Sequence, residues 1–166
     1  MGSILQSLAG ICLFRQGPQD LPYAPQALGA AVLLSGALNY IAAANMPESG
    51  NVGAQVLAAA GFSLLFLYAV LVLRALQARF MQSATALFGT EVLIAIPLTV
   101  LSFMLAGSDP QSAPGAATAI LLLWAWRVGI VGHIFRHTLE IPLALGVLLA
   151  LAYSFLSIQV VYWVGG

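Results

Sequence analysis

The chain has 166 residues, of which 61% are hydrophobic and only 6% charged. A soluble domain carries about 25% charged residues, so this composition points to lipid as the solvent. The five basic residues are all Arg and cancel the five acids, which leaves no basic face to displace counterions from a nucleic acid and excludes a nucleic-acid binder.

Residues 1–24 differ in kind from the rest. Ile4, Leu5, Leu8, Ile11 and Cys12 recur at helical spacing, Ser3 can cap, and Gly17-Pro18 stops the pattern. This predicts a short cytoplasmic amphipathic helix lying on the membrane, followed by the irregular stretch QGPQDLPYAP. No basic residue precedes the apolar part, so a cleaved signal peptide is not expected. Gln6 stands where a myristoylation pattern wants Ser or Thr. The LAGIC run before Cys12 has Ile11 where a bacterial lipobox needs a small residue. Cys12, the one cysteine, has no intramolecular disulfide partner and no Cys-rich metal site around it.

Crossing a bilayer takes roughly 20 mostly apolar residues. Five windows qualify, at about 25–45, 53–73, 84–106, 116–135 and 141–164, bounded by Pro, Gly or charge. The predicted fold is therefore all-α: a polytopic membrane bundle of five transmembrane helices over residues 25–166, with the N-terminal interfacial helix beside it. The connecting loops are too short to hold an extramembrane domain.

Arg15, Arg74, Arg79 and Arg136 all fall in segments on one side of this topology, whereas Glu48 and Asp109 mark the other loops. Short loops rich in Arg stay cytoplasmic, so the N-terminus is placed inside and the C-terminus outside a bacterial inner membrane. Tyr162 and Trp163 near the outer end fit an aromatic belt.

Two charges fall inside the windows, Glu91 in the third and Arg127 in the fourth. An ionised group near the bilayer centre costs about 2.5 to 3.5 kcal/mol on insertion scales, so each requires a reason. At about 1.5 Å per residue, Glu91 lies roughly 10 Å and Arg127 roughly 12 Å from the cytoplasmic ends of their helices. These helices are antiparallel neighbours, so the two charges are expected to meet at one level as an ion pair, either structural or serving a proton or ligand site. Pro97 should kink the third helix. Asn39 and Gln159 are expected to bond across helices. His133, His137 and Glu140 would share one face if the fourth helix continued, a pattern that can ligate zinc or iron. Pro142 argues that the helix ends near them, and the other reading of His133, Arg136 and His137 is a basic interfacial rim touching lipid headgroups. Small residues at four-residue spacing, Ala27, Ala31, Ser35, Asn39 and Ala43 in the first window and Gly146, Ala150 and Ser154 in the fifth, predict close helix packing.

The chain has no GxSxG, no glycosidase-type carboxylate pair and no phosphate loop, so no catalytic residue and no cofactor is expected, and an enzyme is disfavoured. The five-window rhythm, the third-helix segment FMQSATALFGTEVLIAIPLTVL and the fourth-helix segment LLLWAWRVGIVGHIFRHTL resemble the bacterial branch of the Yip1-like membrane proteins, over roughly residues 53–160. The resemblance implies a non-enzymatic membrane helper and carries over no site residue. The GTPase contacts of the eukaryotic relatives do not transfer, because their long N-terminal region is lacking here. Two functions are therefore expected: an accessory or scaffold protein that binds another membrane protein or itself within the bilayer, or a small oligomeric transporter or proton-coupled carrier that uses Glu91 and Arg127.

Overall fold

The computed structural model describes residues 2–45, 50–105 and 114–165, and among them every regular element is helical. The expectations on Glu48 and Asp109 lie outside the described residues. A short helix α1 (Gly2–Cys12) precedes five long ones: α2 (Pro25–Ala44), α3 (Val52–Leu73), α4 (Phe80–Leu105), α5 (Pro114–Leu139) and α6 (Leu143–Gly165). All five are long and apolar enough to cross a membrane.

Local chemistry sets the helix ends. Pro25 opens α2 at a position where its missing N–H costs nothing, and Asn51 caps α3 by accepting from the Ala54 amide at 3.1 Å. Three helices end in the Schellman arrangement, with the residue after the cap in the left-handed region: Phe14 (φ 59°) after α1, Ala75 (φ 55°) after α3 and Glu140 (φ 54°) after α5. In each, the following amide bonds back across the last turn, Arg15 to Gly10 O at 2.8 Å, Leu76 to Leu71 O at 2.9 Å and Ile141 to Arg136 O at 3.1 Å. The α5 terminus lies at Leu139 rather than near residue 135, and its last turns are held by the contact of His133 with Gln16 O and by Arg79, which donates to the His137 and Thr138 carbonyls. Helix α4 continues through Pro97 as one element.

The long helices alternate in direction and close a ring in the spatial order α2, α4, α5, α6, α3, back to α2. One end of the ring collects Arg74, Arg79 and Arg136. There Arg74 Nη2 donates to Leu139 O at 3.2 Å, and Arg79 donates to Thr138 O at 3.2 Å and pairs with Glu140. Both small-residue ridges turn inward: Ala31 and Ser35 of α2 and Gly146, Ala150 and Ser154 of α6 are buried. Helices α5 and α6 approach closely: a Cβ on Gly146 would meet Gly132 O at 2.5 Å and one on Gly132 would meet Val147 Cα at 3.0 Å. Only glycine lets these backbones touch.

The N-terminal helix turns its apolar stripe onto the bundle. It packs lengthwise on α4 and α5, and Leu8, Ile11 and Cys12 are buried with Ala86, Ile94, Ile130 and Ile134. Leu8 fills the notch over Gly89, where a Cβ would come within 2.6 Å of it. Trp126 Nε1 donates to Cys12 O at 3.2 Å, satisfying a carbonyl that the end of α1 would leave open, and Gln82 Nε2 donates to Leu21 O at 2.8 Å. The apolar stripe that reads as lipid-facing in sequence is covered by protein. This cover explains why 44% and 39% of the apolar windows of α4 and α5 are buried, against 17%, 17% and 22% for α2, α3 and α6.

Candidate functional site

Polar side chains from all five ring helices meet at mid-bundle. Glu91 stands eleven residues into α4 and Arg127 twelve before the end of α5, about 16 to 18 Å from the Arg-bearing end. The expected pair forms: Arg127 Nε donates to Glu91 Oε2 at 2.8 Å, with side chains 22% and 19% exposed. It is a single-point contact through Nε rather than a two-point fork.

Each partner reaches further. Asn39 of α2 donates from Nδ2 to Ser35 O at 2.9 Å and, at 3.5 Å, to Glu91 Oε1. Tyr153 of α6 is buried and interacts electrostatically with Arg127 and Glu91. Its hydroxyl lies 2.7 Å from Ser63 Oγ of α3. Ser63 has one hydroxyl proton, directed at Ala59 O at 2.7 Å, so Tyr153 donates to Ser63 and keeps its oxygen lone pairs for Arg127. A chain of polar contacts thus links α2, α4, α5, α6 and α3. Low local dielectric strengthens each bond in such a network and makes removal of one member expensive.

This network floors a cavity of about 220 Å³ lined by residues of all five ring helices. Ser35, Asn39, Ser63 and Tyr153 surround the ion pair at mid-bundle. Ala43, Gln55 and Val161 carry the lining into the last turn of α2, the first turn of α3 and the outer part of α6. The cavity therefore runs from the network toward the end opposite the loop arginines. Toward the Arg-bearing end the ring is filled. Phe66 lies 5.3 Å from Tyr153 and 6.0 Å from Phe135 between ring centroids, and Leu67, Leu71, Val131 and Leu139 complete an apolar plug.

The other expected site residues fall elsewhere. His133 is buried, with Nε2 2.9 Å from Gln16 O and its ring edge-on to Phe14 at 5.4 Å. It fastens the segment after α1 and is not part of an exposed rim; Arg136 alone of that trio is exposed. His137 stacks edge-on to His133 at 4.5 Å, but Glu140 lies beyond the helix end and pairs with Arg79. The three do not converge, and among the described residues no group of three or more His, Cys, Asp or Glu is arranged to hold a metal ion. Gln159, expected to bond across helices, lies on the exposed side of α6. The sequence reading missed Tyr153 and Ser63. Their signal was available as a hydroxyl near the middle of each helix, at the level of Glu91 and Arg127, among other polar side chains such as Ser154 and Ser157 of α6 and Gln55 of α3.

Burial pushes the Cys12 thiol up to about 11, which keeps it neutral and a poor nucleophile.

Compared with family models, curated proteins and solved structures, the chain matches none.

Proposed function

We propose that this chain is a multi-pass protein of the bacterial inner membrane whose five-helix ring binds a small polar solute in the cavity above Glu91 and Arg127, as the binding unit of a small carrier. The arginines at one end of the ring support a cytoplasmic placement of that end. The cavity then faces the periplasmic side and the aromatic plug faces the cytoplasm. The observation that carries the reading is the cavity itself: a concave site at a helix-bundle centre, mostly apolar in its walls, with a few convergent polar groups and a charged pair at its floor. Ionisable groups at such depth are rare and recur along substrate and proton pathways. The scaffold reading rests on the contact surface offered by the QDLPYAP stretch, the N-terminal helix and the helix faces; the apolar stripe of that helix is already taken up by α4 and α5, and exposed apolar faces are common to any bundle in lipid. The five-helix topology is compatible with a Yip1-like relationship, which adds no residue to the site.

Ser157 lines the cavity on α6 and gives a direct test. With Cys12→Ala removing the native thiol, Ser157→Cys should react with a membrane-impermeant thiol reagent added to the periplasmic side of intact cells or spheroplasts. A bulky Ala60→Leu change across the cavity should slow that labelling. Labelling only from the cytoplasmic side, or none in the folded protein, would overturn the proposal.

A further inference from the structure

Arg127 carries five N–H donors, and among the described residues the contacts around it use few of them. Glu91 takes one at Nε, and the Tyr153 oxygen can accept one more. The remaining donors belong to a side chain that lines the cavity and is only 22% exposed. Glu91, by contrast, already accepts from both Arg127 and Asn39. The unspent capacity at the cavity floor is therefore donor capacity on a guanidinium, the group best shaped to hold a carboxylate.

An anion entering beside Arg127 also enters beside Glu91. Two carboxylates sharing one guanidinium at this depth repel each other, and one of them gives up its charge. The groups facing Glu91 are Asn39 from α2, Arg127 from α5 and Tyr153 from α6, with Ser63 of α3 behind Tyr153. A guanidinium has no lone pair to take a proton and a phenol is already protonated, so the Glu91 carboxylate is the group that can accept one. Before binding, Arg127 and Glu91 sum to zero. After binding, Arg127, a protonated Glu91 and a monoanion again sum to zero. Uptake of one proton with one anion leaves the charge at mid-bundle unchanged, and no bond other than the Glu91 O–H is made or broken.

Size and walls restrict the anion further. One guanidinium balances one negative charge, so a dianion would leave a surplus. Val56, Leu87, Phe88 and Val161 offer apolar contact to a short hydrocarbon tail. Resting on the solute-binding reading above, we infer that the cavity takes a small monocarboxylate together with one proton, with Arg127 holding the carboxylate and Glu91 taking the proton.

Butyrate is a suitable probe, with butyramide, butylammonium and inorganic phosphate as comparisons. Binding is measured by isothermal titration to the full-length protein in nanodiscs between pH 5 and 8. Butyrate should bind in preference to the other three, and its Kd should rise with pH, by up to about tenfold per pH unit, the slope for one coupled proton. Glu91→Gln, which mimics the protonated acid, should bind butyrate with a Kd that no longer varies with pH. The double variant Glu91→Gln/Arg127→Gln removes both charges without leaving either unpaired, and it should lose butyrate binding. The inference is overturned if butyramide or butylammonium binds as tightly as butyrate, if the Kd of the wild-type protein is flat with pH, or if the double variant still binds. In those outcomes, labelling of Ser157→Cys from the periplasmic side would leave the solute-binding reading intact, whereas absence of that labelling removes the cavity on which both depend.

Discussion

The contact between α5 and α6 at Gly132 and Gly146 is the most demanding geometric feature of the ring, and a single methyl group tests it. In Gly146→Ala the new Cβ would sit 2.5 Å from Gly132 O, a backbone atom that cannot rotate away, and 3.2 Å from the Arg136 amide nitrogen. Ordinary contact begins near 3.4 Å, so the two helices must separate locally by 0.9 Å (3.4 − 2.5) or bend. Overpacking of this kind costs about 1 to 3 kcal/mol. Alanine also gains about 1 kcal/mol over glycine inside a helix, which would mask part of the loss. Gly61→Ala in α3 supplies the correction, because nothing lies within 4 Å of a Cβ there. The propensity gain is common to both variants and drops out of their difference. Gly146→Ala should therefore be about 1 to 3 kcal/mol less stable than Gly61→Ala. Unfolding by SDS from mild-detergent micelles, followed by tryptophan fluorescence, gives the two free energies. If they agree within about 0.5 kcal/mol, the usual scatter of a neutral substitution, the backbone contact does not exist as described.

Replacing Arg127 alone by Gln strands the Glu91 carboxylate inside the ring and should cost about 3 to 5 kcal/mol in the same assay, while Glu91→Gln/Arg127→Gln should recover much of that loss; a double variant no more stable than the single one would show that the charges do not depend on each other. Cys12 should resist maleimide in folded protein and react once SDS unfolds it, since it is only 5% exposed. Its raised pKa fixes a sign as well: the unfolded thiol ionises near 9 and the folded one near 11, so its contribution is complete below pH 9 and is lost as pH rises toward 11, by about 2 to 3 kcal/mol. Cys12→Ala should flatten that part of the alkaline stability profile, and an unchanged profile would mean that the thiol is not buried as described.

Hydropathy and charge are properties along the chain, and what depends on them alone was legible in the sequence. Five apolar helices, their alternation, the gathering of Arg74, Arg79 and Arg136 at one end and the common level of Glu91 and Arg127 all follow from counting residues at a fixed rise. Even the meeting of Glu91 with Arg127 was predictable, because α4 and α5 are consecutive and antiparallel. Which helix each face meets was not legible. The small-residue ridges of α2 and α6 marked their inward sides, but where the outside of a bundle is as apolar as the inside nothing along the chain names the neighbour. The adjacency of α2 to α4, the turning of Gln159 away from the network and the recruitment of Tyr153 and Ser63 into it were settled by tertiary packing. The same blindness hid the neighbours of α1, whose stripe of Leu8, Ile11 and Cys12 fits the groove between α4 and α5. A lipid-facing stripe and a protein-facing stripe are written in the same residues, and only the shape of the neighbour, here the notch at Gly89, tells them apart.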